Sequence, residues 1–160
     1  MQEKPTAKLQ LVGRIVDAAE HARIVAFVEE NALQKSVQLP QPLPHAQTLQ
    51  AIAGAHVLAA FSTVETFNMP VLEALALGTP VVTGDYNFQH EVAGEQAFGA
   101  AIFVDLEKEG DTPAALAIAL YAALENPSIT ATLRKKGLIQ AQKFNWETSA
   151  QTLAEGVQSV

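Results

Sequence analysis

The sequence predicts an α/β protein: an open parallel sheet with helices on its faces, followed by a helical tail. Three observations predict it. Short apolar or β-branched runs alternate with longer helical stretches, the pattern of strands joined by crossover helices. One of those runs, "HVLAAFS", is apolar almost throughout, as strands covered on both faces are. From Thr112 onward the pattern is helical to the end.

The elements follow in order. "KLQLVGR" (8–14) reads as a strand ending at Gly13, and about Asp17 to Glu30 as a helix with Ile24, Val25, Phe27 and Val28 on its buried side. "SVQLP" (36–40) is a short second strand. Three prolines between Pro40 and Pro44 predict a loop, because proline donates no ladder hydrogen bond. A short helix over 46–54 stops near Gly54, and "HVLAAFS" (56–62) follows as a strand. Pro70 suits a first helical position, where its missing N–H is no loss, and Asn68 stands where a cap is expected. That helix runs "VLEALAL" to Gly78, whose left-handed conformation closes it. "PVVTG" (80–84) and "AAIFV" (100–104) are further strands. Helices are expected over about 112–125, 128–142 and 146–157, with Pro113 at a start and Pro127 as a break.

A chain of 160 residues, 49% hydrophobic and 17% charged, has apolar material for one globular core, so a single domain is expected over 1–160. The absence of cysteine removes disulfides and thiolate metal sites and fits a reducing, cytoplasmic location. "MQEKPTAKLQLVG" has no apolar signal-peptide core, and no run reaches the length of a membrane span. A formal charge of -7 argues against nucleic acid as a partner. The placement of the cations says more. Lys4, Lys8, Arg14, Arg23 and Lys35 lie early, and Lys108, Arg134, Lys135, Lys136 and Lys143 late, so residues 36–107 hold no lysine or arginine. An anion bound there must be held by backbone amides, by a helix dipole, or by cations from elsewhere.

Several chemistries are disfavoured. "LVGRIVDAAE" has one glycine and no pyrophosphate turn, so no nicotinamide cofactor is indicated. There is no G-x-x-x-x-G-K-[ST] loop, and Ser62 lacks a G-x-S-x-G elbow. "HEVAG" begins like a zinc-protease helix without its second histidine, so no metal is indicated, and His90 and Glu91 read as an exposed loop pair.

The stretch "VETFNMPVLEALALGTPVV" carries the chemistry. It joins a strand end to a helix N-terminus, the place where open α/β sheets bind ligands. Glu65 lies in the loop and Glu73 in the first turn or so of the helix, with seven residues between them. Helical side chains lean toward the N-terminus, so Glu73 points back over the crevice that Glu65 enters. Free amides around Phe67 to Val71 lie between. Carboxylates accept from hydroxyls and free amides suit phosphate oxygens, so a ligand with hydroxyls at both ends and phosphates between them matches. Glu73 taken alone is also explained as a dipole-stabilising residue. The side chains of Phe67 and Trp146 read as packing residues.

The wider stretch "FSTVETFNMPVLEALALGTPVVTG" resembles the signature of the C-terminal domain of GT-B glycosyltransferases, most closely the large retaining family 4. "LVG", "VQLPQPLPHAQTLQAIAGAHVLAAFS", "HEVAGEQAFGAAIFVD" and "KFNWETSAQTL" resemble further segments of that domain in order. The resemblance implies a Rossmann-like domain, the C-terminal half of a GT-B fold, that binds a nucleotide-diphosphate sugar as donor and needs no cofactor or metal. It implies that Glu65 is the catalytic-site glutamate near the transferred carbon. The amides of Thr66, Phe67, Asn68 and Met69 match those that contact the donor's sugar and phosphate. Glu73 matches the glutamate that accepts from the ribose, and the backbone near Leu43 borders the base.

Three departures stand out. Thr66 and Asn68 occupy positions where the family usually has glycine, and Phe61 one where it usually has proline. Family members also begin this domain with an earlier strand and with cations that neutralise the diphosphate, and they precede it with a whole acceptor domain. The expectation is therefore an N-terminally truncated donor-binding domain, inactive in isolation, whose partners are the donor and the missing N-terminal acceptor domain. The full enzyme has room for peripheral membrane association but no membrane span. The alternative is a degenerate GT-B-like domain that serves as an interaction or regulatory module.

Overall fold

Val81, Val82, Thr83 and Gly84 are all buried, and this apolar β-branched run forms the central strand of a three-stranded parallel sheet. The computed structural model describes residues 7–95, 99–107 and 112–158. Lys4, Lys108 and the 96–98 part of "HEVAGEQAFGAAIFVD" lie outside them. After Thr48 the chain divides into two compact units.

In the first unit β1 (Leu9–Val12) pairs in parallel with β2 (Val37–Gln41), joined by α1 (Ala18–Glu30). Asp17 caps α1, its Oδ1 accepting from the amides of Ala19 and Glu20 at 2.8 and 3.2 Å. Two sequence expectations change here. Strand β2 runs through Pro40 to Gln41, tolerated because a strand of a two-stranded sheet has one side with no ladder to serve. Phe27 is 59% exposed, whereas Val28 is buried and Ile24 and Val25 are half-buried. A sheet of two strands is only about 10 Å wide, too narrow to cover a broad apolar helix face.

Helix α2 (His45–Gly54) crosses the division, and the second unit continues with β3 (Leu58–Ala60), α3 (Met69–Ala76), β4 (Val81–Gly84), α4 (Asn87–Ala93) and β5 (Ala101–Val104). Three helices follow: α5 (Thr112–Glu125), α6 (Pro127–Ala141) and α7 (Trp146–Gln158). The strand order is β3-β4-β5, all parallel, with Ala60 opposite Thr83 and Thr83 opposite Phe103. The alternation of side chains across β4 divides the core. Val81 joins Val71, Ala74, Leu75 and Val92 on one face of the sheet, and Val82 joins Val104, Ala119 and Ala123 of the other cluster. No single helix among the described residues is long and apolar enough to cross a membrane; α5 and α6 together pass that test but bend by 88° between them.

Helix α3 ends as its sequence predicts. Gly78 takes φ +70°, and the amides of Gly78 and Thr79 bond the carbonyls of Leu75 and Ala74. Arg134 of α6 adds a donor there, Nη1 to the Gly78 carbonyl at 3.0 Å. Further on, Gly99 permits a close approach: a Cβ there would lie 2.7 Å from the Phe103 ring and 2.9 Å from the Glu95 carbonyl oxygen. Gly99→Ala is therefore expected to cost about 1–3 kcal/mol through overpacking against backbone, measured as a drop in the urea midpoint.

Two further expectations are corrected. His90 and Glu91 belong to helix α4, not to a loop. Trp146 is 87% exposed, and Leu153 and Val157 share that exposure on α7, so this aromatic is not a core residue.

Candidate functional site

Parallel strands deliver their connecting loops to one edge of the sheet, and at that edge the chain from β3 passes through residues 61–68 into α3. Glu65 and Thr66 are exposed in this loop. Phe67 turns inward, packing against the core cluster and meeting the Phe144 ring edge-on with centroids 5.4 Å apart. Its side chain is a packing residue, as its type predicts, and it anchors the loop on which its own amide is presented. Thr66 has no positive φ, so the loop does not force a β-branched residue into a glycine conformation; Asn68 takes that burden with φ +57°.

Asn68 occupies the N-cap position of α3 without capping it. Its side chain makes no cap hydrogen bond, in contrast to Asp17 on α1 and Asn126 on α6. The left-handed backbone is the physical reason, since a side-chain oxygen normally reaches the next amides from an extended N-cap residue. The amide of Val71, expected to be open, bonds the Asn68 carbonyl at 3.1 Å, and Pro70 has no N–H. The amides of Thr66, Phe67, Asn68 and Met69 have no acceptor among the described residues. They stand at the positive end of α3, where anions are favoured.

Glu73 is the fifth residue of α3, in its second turn and not its first. It is half-buried, about 6 Å along the axis from Met69, and its side chain leans back toward the open end. Strand, loop and helix thus place Glu65, the four amides and Glu73 on one continuous element. Leu43 lies in the first unit, between β2 and α2, and is half-buried.

The neighbouring strand contributes a pair that the sequence reading did not find. Asp85 follows β4 directly, and its Oδ1 lies 2.5 Å from Nε2 of His90. The His90 ring stacks on Phe103 of β5 at 4.5 Å, within 10° of parallel. A spacing of five residues across a strand end and a helix start carries no local signature, and the ring that completes the arrangement comes from another strand. Arg134 serves the C-terminal end of α3 through the Gly78 carbonyl, about 12 Å along the helix from the open amides. A concavity of about 560 Å³ lies along α7 and is lined by Phe144, Ser149, Leu153 and Val157 among others. None of its lining residues belongs to the loop or to α3.

The sequence profile of the family "Glycosyl transferases group 1" matches residues 1–144. The chain belongs to this family. Among curated relatives, the D-inositol 3-phosphate glycosyltransferase of Corynebacterium urealyticum is 30% identical over 129 residues, which is 81% of this chain and 29% of that protein. D-inositol 3-phosphate glycosyltransferase 1 of Catenulispora acidiphila is 27% identical over 135 residues, 84% of this chain and 31% of that one. The match thus spans less than a third of the length of these relatives. Among solved structures, sucrose-phosphate synthase from Thermosynechococcus elongatus superposes with a TM-score of 0.78 at 30% identity, covering 97% of this chain and 39% of the synthase. Anabaena HepE, solved in complex with UDP and glucose, gives 0.82 at 22% identity over 99% of this chain and 42% of that one, a likeness of fold. The α/β arrangement of parallel sheets flanked by helices and ending in a helix is that of GT-B glycosyltransferases.

Proposed function

We propose that this chain binds the nucleotide-sugar donor of a retaining, metal-independent glycosyltransferase that transfers a sugar to a hydroxyl acceptor. The observation that carries the proposal is the uncapped end of α3: four amides with no acceptor among the described residues, between a loop carboxylate and a helix carboxylate, on one strand–loop–helix element. The amides offer donors to phosphate oxygens at the positive end of the helix dipole. Glu73, one turn further on, accepts from the ribose hydroxyls, and Glu65 reaches the sugar near the carbon that is transferred. Family membership supports glycosyl transfer as the reaction class, and HepE, which shares the fold, has been solved with UDP and with UDP-glucose.

Transfer requires an acceptor held against the donor, and the relatives are about three times as long as this chain. The remaining length supplies the acceptor domain, so the 160-residue chain binds donor without turning it over. Calorimetric titration with UDP and UDP-glucose, in the presence of EDTA, tests this. The expected result is saturable binding of both with no release of glucose when a hydroxyl acceptor is added. Absence of binding at millimolar UDP, or loss of binding on adding EDTA, would falsify it.

A second reading is favoured by one observation. The outer face of α5 exposes Ile118, Tyr121 and Leu124, an apolar surface suited to an interaction module. That reading gains if the titration shows no nucleotide binding.

A further inference from the structure

Among the described residues, three enclosed side-chain atoms have no hydrogen-bond partner: Nδ2 of Asn68 and both Nε2 and Oε1 of Gln89. Leaving such an atom unpaired costs more than an ordinary hydrogen bond gains, so each calls for an explanation. The fold gives them a common place. Helix α3 joins β3 to β4 and α4 joins β4 to β5, and because the three strands are parallel, the two helices run in the same direction. They pack against each other on one face of the sheet, α3 through Val71, Ala74 and Leu75 and α4 through Val92 and Ala93. Asn68 stands one turn before Val71 and Gln89 one turn before Val92, each buried on the same stripe of its helix as that valine. Both carboxamides therefore lie at the same end of the α3–α4 interface, the end where the loop from β3 arrives.

We propose that the two carboxamides form one polar joint that encloses a water molecule, and that Gln89 acts through it as a positioning residue for the start of α3. No hydrogen bond joins the two side chains directly, and a water bridges polar groups that stand beyond direct reach. Two NH₂ groups and one carbonyl oxygen match the donors and acceptors that an enclosed water uses. The consequence reaches the backbone. Asn68 keeps φ +57° with no capping bond to hold it there, a conformation that asparagine adopts when its side chain is hydrogen-bonded locally. The anchored carboxamide supplies that hold, and the peptide groups on either side of Asn68 take their direction from it. Gln89 touches no ligand; it fixes the path on which the open amides stand. The positioning role rests on the donor site proposed above, whereas the enclosed water does not.

The test uses Gln89→Met, which nearly conserves length and volume and removes both polar atoms. With a water in the joint, Q89M leaves Asn68 Nδ2 unpaired and the urea midpoint falls. In a dry joint the same change removes two unpaired atoms and the midpoint rises, so the sign of the shift decides. Asn68→Gly combined with Q89M should lose less than the two single losses added together, because both residues serve one site. A crystal structure of the parent chain should show the water within hydrogen-bond distance of both carboxamides. A raised or unchanged midpoint in Q89M, strict additivity, or an interface without water overturns the joint. For the positioning role, Q89M should weaken UDP binding about 2- to 30-fold, as substitutions that act without touching the ligand do. Uridine, which lacks the phosphates that the amides serve, should bind as before. UDP affinity equal to the parent's, or an equal loss for uridine, overturns the positioning role. A parent chain that binds no UDP removes the donor site and the positioning role with it, and the midpoint and the crystal structure still decide the water.

Discussion

Replacing Leu75 by alanine is expected to destabilise the protein by about 3–4 kcal/mol, within the range measured for fully buried leucines. Leu75 is 1% exposed and sits in the core cluster with Val71, Ala74, Val81 and Val92. Helix α6 approaches it at Gly137, where an added Cβ would stand 3.2 Å from Leu75 Cδ2 and 3.4 Å from its Cα. The two helices are already in close contact through this glycine, so neither can move inward to fill the void that alanine leaves. The residual cavity therefore adds to the lost transfer energy. Against a total stability of about 5–15 kcal/mol this is a large fraction, and a fall in melting temperature of about 10 °C is expected. Urea denaturation with an unchanged m-value checks it. Leu75→Met, which conserves volume, should cost under about 1.5 kcal/mol. A loss below about 1 kcal/mol for L75A would show that α3 and α6 can close the gap.

Glu73→Gln is expected to weaken binding of UDP by about 10- to 100-fold, corresponding to the roughly 1.5–3 kcal/mol of a hydrogen bond to a charged group. Glutamine matches glutamate in size, so the packing of this half-buried residue in the second turn of α3 is preserved. It replaces one acceptor oxygen with a donor, and two ribose hydroxyls then compete for a single acceptor. The loss should appear equally with uridine, which carries the same ribose. Calorimetric titration of both ligands into E73Q checks it. Unchanged affinity in E73Q would take the ribose away from Glu73 and leave it as a residue that serves helix α3 alone.

The order of strands and helices was legible because it depends on local patterns. Val81 to Gly84 is apolar on both faces, and it is the central strand. Pro70 and Gly78 bounded α3 in the sequence and bound it in the structure. Helix α4 was not legible. Its seven residues carry no capping side-chain bond, and its place is secured by the contact of His90 with Asp85 before it and Phe103 after it. Trp146 and Phe27 were misplaced for a related reason. Residue type says that an aromatic favours burial, but whether a partner surface lies opposite is decided by elements distant in sequence.

At the candidate site the division is sharper. The chain alone determined that two carboxylates flank a strand–loop–helix junction, that Pro70 leaves one donor fewer at the helix start, and that no lysine or arginine lies between residues 36 and 107. These are matters of composition, spacing and the steric limits of single residues. Only the tertiary structure decided that Asn68, a natural cap, turns left-handed and leaves the end of α3 open, and that Arg134 serves the opposite end of the same helix. Phe67 packs against Phe144 on one side of Asn68 and α3 packs against Gly137 of α6 on the other, and such contacts join residues far apart in sequence, which local pattern does not reveal.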